Sequence, residues 1–485
     1  MHTPVTYPDH IEPLVRFVEE TTPENIVAHT YDKLHSGTSV KEMLLASALA
    51  VVRSSDLPPG HHGGPLHPLS GQHAVHNISS RLSGEYAFMP VVQNVALSNK
   101  HIHSMSMGPY ILAAAEPVSE NDSVEDTLAA MPYHLSRGAY NALDHYYLYL
   151  MEKLTPMQVL DHLLQVAIPK NQADDHNFLF PVFTWRALEY HGWEYAKYIG
   201  RAAVRYVTRP PAAKVMLEVD GLIEEHELLT RVLRFKTGED ETPAVVALRD
   251  TIGNLEKFED VPGLLAKALG DGLSLEGTIE GLSLGGSRLF LRSQTGNPMD
   301  VHIHTGANIR RYLLGQSELG IGTRLRALLT WNSGPEVRSA QYKLAPQQQP
   351  EPERVSALPA RDQAGLLGDI DALIGSLPVG ERLPSLGLAQ WRCTDEVKQA
   401  AAMAQHYVDQ GYDSNALFDL LAKIACRDNF TEMHAFKHHQ AAYEEYHAAR
   451  PELRSTHLVS AVQAAAISHG RIQDVYADAE QVVHF

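Results

Sequence analysis

The sequence predicts a mainly α protein: helical hairpin repeats forming an α-bundle or short solenoid, with a small antiparallel β-domain inserted between two helical blocks. Three observations carry this expectation. Apolar residues recur at three- and four-residue spacing through Lys41 to Val52, Met157 to Ile168, Glu396 to Val408 and Ala416 to Ile424, the stripe of a helix with one buried face. Three segments share one layout, an amphipathic helix, a polar interruption and a His- or aromatic-rich helix. Between Leu273 and Leu344 the apolar period shortens to two, which is the period of a strand.

Taken in order, residues 1–210 form a His-rich helical block that ends at Arg209-Pro210-Pro211, because proline cannot continue a helix and pushes its predecessor into an extended conformation. Residues 211–272 form a helical connector. Residues 273–345 are expected to form about five strands, including Leu275–Ile279, Arg288–Arg292, Asp300–His304 and Arg324–Trp331, with turns at Gly285-Gly286, Thr295-Gly-Asn-Pro and Asn332-Ser-Gly. Residues 346–357, which contain Gln347-Gln-Gln-Pro-Glu-Pro-Glu, form a polar linker. Residues 358–485 form a second helical block, expected to pack on the first because a unit with one apolar face needs a neighbour.

The repeated layout runs Ser39–Ala50 then His61–His76, Thr155–Leu164 then Asp174–Glu189, and Ser414–Lys423 then Glu432–Glu444. A further helix follows each, at Pro90–His101, Tyr195–Arg205 and His457–His469.

Composition narrows the function. Of 485 residues, 44% are hydrophobic and 20% charged, and 40 Lys+Arg against 58 Asp+Glu leave a net charge of -18 with no long basic run. The phosphate-neutralising surface of a nucleic-acid binder is therefore missing. The longest apolar stretches fall well short of the roughly 20 residues a bilayer span needs, and the first residues lack a secretory pattern, so the expected setting is the cytoplasm. Two cysteines, Cys393 and Cys426, cannot form a thiolate zinc or iron–sulfur site. Neither a dinucleotide fingerprint, a phosphate-cradling loop nor a nucleophile elbow occurs.

Histidine is the unusual residue. There are 27, and only His226, His302 and His304 lie between residues 211 and 355. His61, His62, His67, His73 and His76 fall within sixteen residues. His73 and His76 share a helical face, and Gly63-Gly64 lets the loop carrying His61 and His62 approach closely. His176 follows Asp174-Asp175 at the equivalent place in the second repeat, and His434 and His438 are four apart in the third. A donor set of imidazoles with a carboxylate such as Asp175 suits non-haem iron, with zinc as the alternative. The bland reading makes several of these side chains capping or packing residues. His302 and His304, two apart on an expected strand, read as a solvent-facing pair.

Leu66-His-Pro-Leu69 with Val91–His101, Leu179-Phe-Pro-Val182 with Ala187-Leu-Glu189, and Met433-His434 with Ala442-Tyr-Glu444 and Leu458–His469 resemble the repeated units of the questin oxidase-like family. The resemblance covers about 250 residues of the helical flanks. It implies oxidative ring cleavage of an aromatic substrate, and its motif falls on His67 and His434, with Phe180 in place of a His in the second unit. The resulting expectation is a metal-dependent oxidoreductase, a non-haem iron oxygenase acting on a small organic molecule, with aromatic compounds among the candidates. Its metal ligands are drawn from His61, His62, His67, His73, His76, His176 and His434. Asp175 is a ligand or an orienting group and His438 a general base. A zinc-dependent hydrolase and a non-enzymatic α-repeat scaffold remain the competing readings.

The repeats predict that His67 and His434 act in one site, since each lies at the start of the second helix of its repeat. His67→Ala, His434→Ala and the double variant should each keep the helical far-UV signal and lose bound metal to a similar extent. Full metal content in either single variant refutes the shared role.

Overall fold

The computed structural model describes residues 3–54, 66–104, 111–118, 123–170, 176–207, 213–296, 302–331, 343–377, 391–428, 432–468 and 474–485. The chain is mainly helical and divides into two compact units, one of residues 1–213, 318–323 and 474–485, the other of residues 214–317 and 324–473. Among the described residues no helix is long and apolar enough to cross a membrane.

The first unit contains α1 (Glu12–Glu20), α2 (Ile26–His35), α3 (Val40–Ser54), α4 (His67–Arg81), α5 (Met89–Ile102), α6 (Val124–Ser136), α7 (Tyr140–Lys153), α8 (Pro156–Ala167), α9 (His176–His191) and α10 (Ala196–Tyr206). Local chemistry sets several of these starts. Thr155 and Gln158 form a reciprocal capping box ahead of α8, with Pro156 at its first position. The Ser123 hydroxyl accepts from the Asp126 amide to open α6. Helices α3, α4 and α5 pack on one another, and α9 packs on α4, α8 and α10. The buried Arg53 guanidinium ties α3 to α1 by reaching Glu12 at 2.8 Å and Glu19 at 2.6 Å, and Asp144 of α7 pairs with Arg201 and Arg205 of α10.

The second unit contains α11 (Ala213–Glu225), α12 (Thr242–Gly253), α13 (Val261–Gly270), α14 (Leu275–Arg292), α15 (His302–Leu314), α16 (Ile321–Leu329), α17 (Pro352–Ser356), α18 (Gln363–Ser376), α19 (Asp395–Asp409), α20 (Ser414–Cys426), α21 (His434–Ala448) and α22 (Ser455–Ser468). Helix α16 opens at residues grouped with the first unit, and α23 (Asp474–Glu480) belongs to the first unit, where it packs on α2 and α5. Side-chain caps open α14 at Ser274, α18 at Asp362, α19 at Thr394 and α20 at Asp413.

The expected β-domain at 273–345 is not formed. Helices α14, α15 and α16 occupy that range. The strands among the described residues are two short pieces, Thr295–Gly296 pairing antiparallel with Trp391–Arg392, beside an isolated bridge between Ser293 and Leu344. The Gly285-Gly286 pair, expected as a turn, lies inside α14 at contacts with neighbouring helices, while Gly334 lies outside the described residues. Gly277, Gly281 and Gly285 recur every four residues on α14, which packs closely on α12. A Cβ at Gly281 would stand 2.7 Å from Leu248, and one at Gly285 would stand 2.6 Å from Ile252 and 3.1 Å from the Arg249 carbonyl. Close approach of the two backbones, rather than a change of direction, is what these glycines permit.

Helix propensity alone predicts that Gly285→Ala stabilises by about 1 kcal/mol. The α12–α14 contact predicts the opposite, a loss of about 1–3 kcal/mol from overpacking, read as a lower urea midpoint at unchanged slope. A stabilised Gly285→Ala variant would show that the contact yields without cost.

Candidate functional site

Four helices begin at a histidine: α4 at His67, α9 at His176, α15 at His302 and α21 at His434. The first two lie in the first unit and the last two in the second. In each unit the two helix starts bring their rings face to edge.

In the first unit His67 is 1% exposed and His176 7%. Their ring centroids are 5.2 Å apart at 77°, and a ring nitrogen of one lies within 4.8 Å of a ring nitrogen of the other. Phe180, one turn along α9, stacks on His176 at 4.8 Å and meets His67 edge-on at 5.4 Å. Tyr206 closes the far side of Phe180 at 4.8 Å. The pair therefore sits against an aromatic wall, where a ring can turn a nitrogen towards a shared ion and bulk water is excluded.

The other candidates of this unit lie elsewhere on α4. His76, nine residues or two and a half turns from His67, projects from the opposite side of the helix. It stacks on Tyr190 at 3.7 Å, and burial, helped by His73 and Lys41, lowers its pKa. His73 Nε2 lies 2.6 Å from the Arg186 guanidinium. His61, His62 and Asp175 lie outside the described residues.

At the end of α9, His191 Nε2 donates to Gln72 Oε1 at 2.5 Å. The Gln72 amide donates in turn to the Leu44 carbonyl and to Asn94 Oδ1, so one polar network joins α3, α4, α5 and α9. Burial pushes the His191 pKa down to about 3, with Lys41 and His76 acting in the same direction.

In the second unit His302 and His434 meet at 5.3 Å and 88°. Further along the same two helices His304 and His438 meet at 4.5 Å and 84°. All four are buried. His304 Nε2 is 2.7 Å from Ser460 Oγ, and Phe290 lies edge-on to it at 4.9 Å. His457 Nδ1 is 3.1 Å from Ser287 Oγ. Burial lowers His304 to about 3 and His457 to about 4, against the pull of Glu445 on both. Glu445 itself stays ionised: burial would raise its pKa, but Arg311, bound through both carboxylate oxygens at 2.8–3.0 Å, holds it below the usual range. His439 Nε2 donates to the Phe418 carbonyl at 2.8 Å, a structural role.

No family model, curated protein or solved structure matches the chain. The site is therefore read from its own geometry.

His302 and His304 were read in the sequence as a solvent-facing strand pair, and the structure buries both on a helix beside His434 and His438. The signal lay in a longer window. Ile303, Ala307 and Leu314, with Ile309 and Leu313, follow helical spacing across α15, whereas Asp300–His304 is too short to separate period two from period 3.6. Both cysteines are held protonated by burial, Cys393 with its pKa pushed up to about 11 and Cys426 higher still. Between these two thiols and the buried imidazoles, imidazole rather than thiolate is the donor that stays deprotonated.

Three depressed imidazoles make folding sensitive to acid. An ordinary His protonates near pH 6.5 once unfolded, while His191, His304 and His457 resist until about 3, 3 and 4. The unfolded chain thus binds more protons in this interval, and stability present above pH 6.5 is lost as pH falls below it, by roughly 1.4 kcal/mol per pH unit for each group. The urea midpoint should drop between pH 7 and pH 5, and His304→Gln should flatten the slope. An unchanged midpoint over that interval contradicts this account.

Proposed function

We propose that the protein is a metal-dependent oxidoreductase, a non-haem iron oxygenase that acts on a small, apolar and aromatic organic molecule. The observation that carries this reading is the His67–His176 pair, two buried imidazoles presented by two helix starts within 4.8 Å and backed by Phe180. Imidazole donors without thiolates suit iron, copper or zinc in a reactive rather than structural mode. The wall of Phe180 and Tyr206 suits an aromatic substrate and excludes water that would compete for the metal. The resemblance of the helical units to the questin oxidase-like family favours oxygen chemistry over hydrolysis.

In this reading His67 and His176 are ligands. Bound iron would supply oxygen activation. The protein's own contribution is to fix imidazole orientation by ring packing and to keep the surroundings apolar.

The test is elemental analysis of untagged protein with oxygen uptake measured on a panel of polycyclic phenols. The expected result is iron near one equivalent per chain and phenol-dependent oxygen uptake. Each of His67→Ala and His176→Ala should cost about tenfold or more in bound metal, while His35→Ala, at an exposed residue paired with Glu85, leaves it unchanged. Stoichiometric zinc without oxygen uptake would establish the hydrolase instead, and metal below about a tenth of an equivalent in folded protein refutes a metal centre.

A further inference from the structure

A separate cavity lies within the second unit, between α11, the turn Phe258–Asp260, α13 and the end of α16. Its volume is about 640 Å³, the size of an organic ligand (roughly 300–1,000 Å³). None of the imidazoles described above lines it. Its walls are apolar, from Phe258, Leu264, Leu329 and Trp331, and Leu217 stands at its edge 76% exposed. The charged lining is of one sign: Glu218, Glu225, Glu259 and Asp260, with no Lys, Arg or His among the described lining residues.

A further observation points to an occupant. Gly221 on α11 and Gly263 on α13 also line the cavity, and a Cβ at either would meet nothing within 4 Å. Glycine inside a helix is unfavourable. At Gly281 and Gly285 the neighbouring helix explains it, but at Gly221 and Gly263 no protein atom does, and the effect of both is to keep the cavity open.

We propose that this cavity binds an organic amine. The apolar body lies against Phe258, Leu264, Leu329 and Trp331, and the ammonium faces the Glu225 and Asp260 carboxylates. The four carboxylates select cations over anions by the field they place at the mouth, and the aromatic rings add cation–π attraction.

The experiment titrates the full chain with 4-phenoxybutylamine and, separately, with 4-phenoxybutyrate, by calorimetry and tryptophan fluorescence. The amine should bind at one site per chain and the carboxylate at least about tenfold more weakly. Glu225→Gln with Asp260→Asn should weaken amine binding by about tenfold and narrow its advantage over the carboxylate. Gly263→Phe, which fills open space on a helix, should abolish binding while keeping the far-UV signal and thermal midpoint. Equal binding of amine and carboxylate, wild-type binding by Gly263→Phe, or no binding of the amine at millimolar concentration overturns the proposal. Should Gly263→Phe misfold, the charge-neutral pair and the carboxylate comparison decide alone.

Discussion

An imidazole can be buried only if it stays uncharged or is given a partner, and this constraint organises the interior of each unit. The cost is set by the shift it produces: moving a His from 6.5 to about 3, as at His191 and His304, corresponds to roughly 5 kcal/mol against the charged form. The surrounding atoms are accordingly acceptors and hydroxyls rather than carboxylates: Gln72 for His191, Ser460 for His304, Ser287 for His457. Where a carboxylate does come near, at Glu445, Arg311 neutralises it. Neutral imidazoles are the form that binds metals and accepts protons, so the same constraint that stabilises the fold above pH 6.5 keeps the rings chemically available.

Ring geometry then does what hydrogen bonds alone would not. His67 against His176 and His302 against His434 meet nearly perpendicular, an arrangement that places the positive edge of one ring over the face of the other. Each pair comes from the first residues of two helices, where a side chain leaning toward the N-terminus has no preceding turn of its own helix beneath it and meets another element instead. The rest of each helix supplies the apolar face that fixes the approach.

Much of this was legible beforehand. The helical blocks, the three hairpin layouts and the special standing of His67, His176, His434 and His438 follow from periodicity and from the clustering of one residue type. The region 273–345 was not. Its glycines carry two meanings, a turn or a close helix contact, and only a partner such as Leu248 or Ile252 distinguishes them. Its short alternating runs fit a strand and a helix equally over five residues. With α15 misread, His302 and His304 lost the company of His434 and His438, since residues 132 and 134 positions apart are joined only by folding.

The sequence by itself determined that this chain is mainly helical and that histidine is abundant and clustered at the starts of its repeated helices, because these depend on composition and on spacing within one turn or one repeat. Only the tertiary structure decided which imidazoles face each other, which of them are held neutral, and which glycines meet a neighbouring helix while others line an open cavity. Those properties depend on desolvation and close packing, which arise when surfaces distant in the chain come together, and no local pattern encodes the partner that a surface will meet.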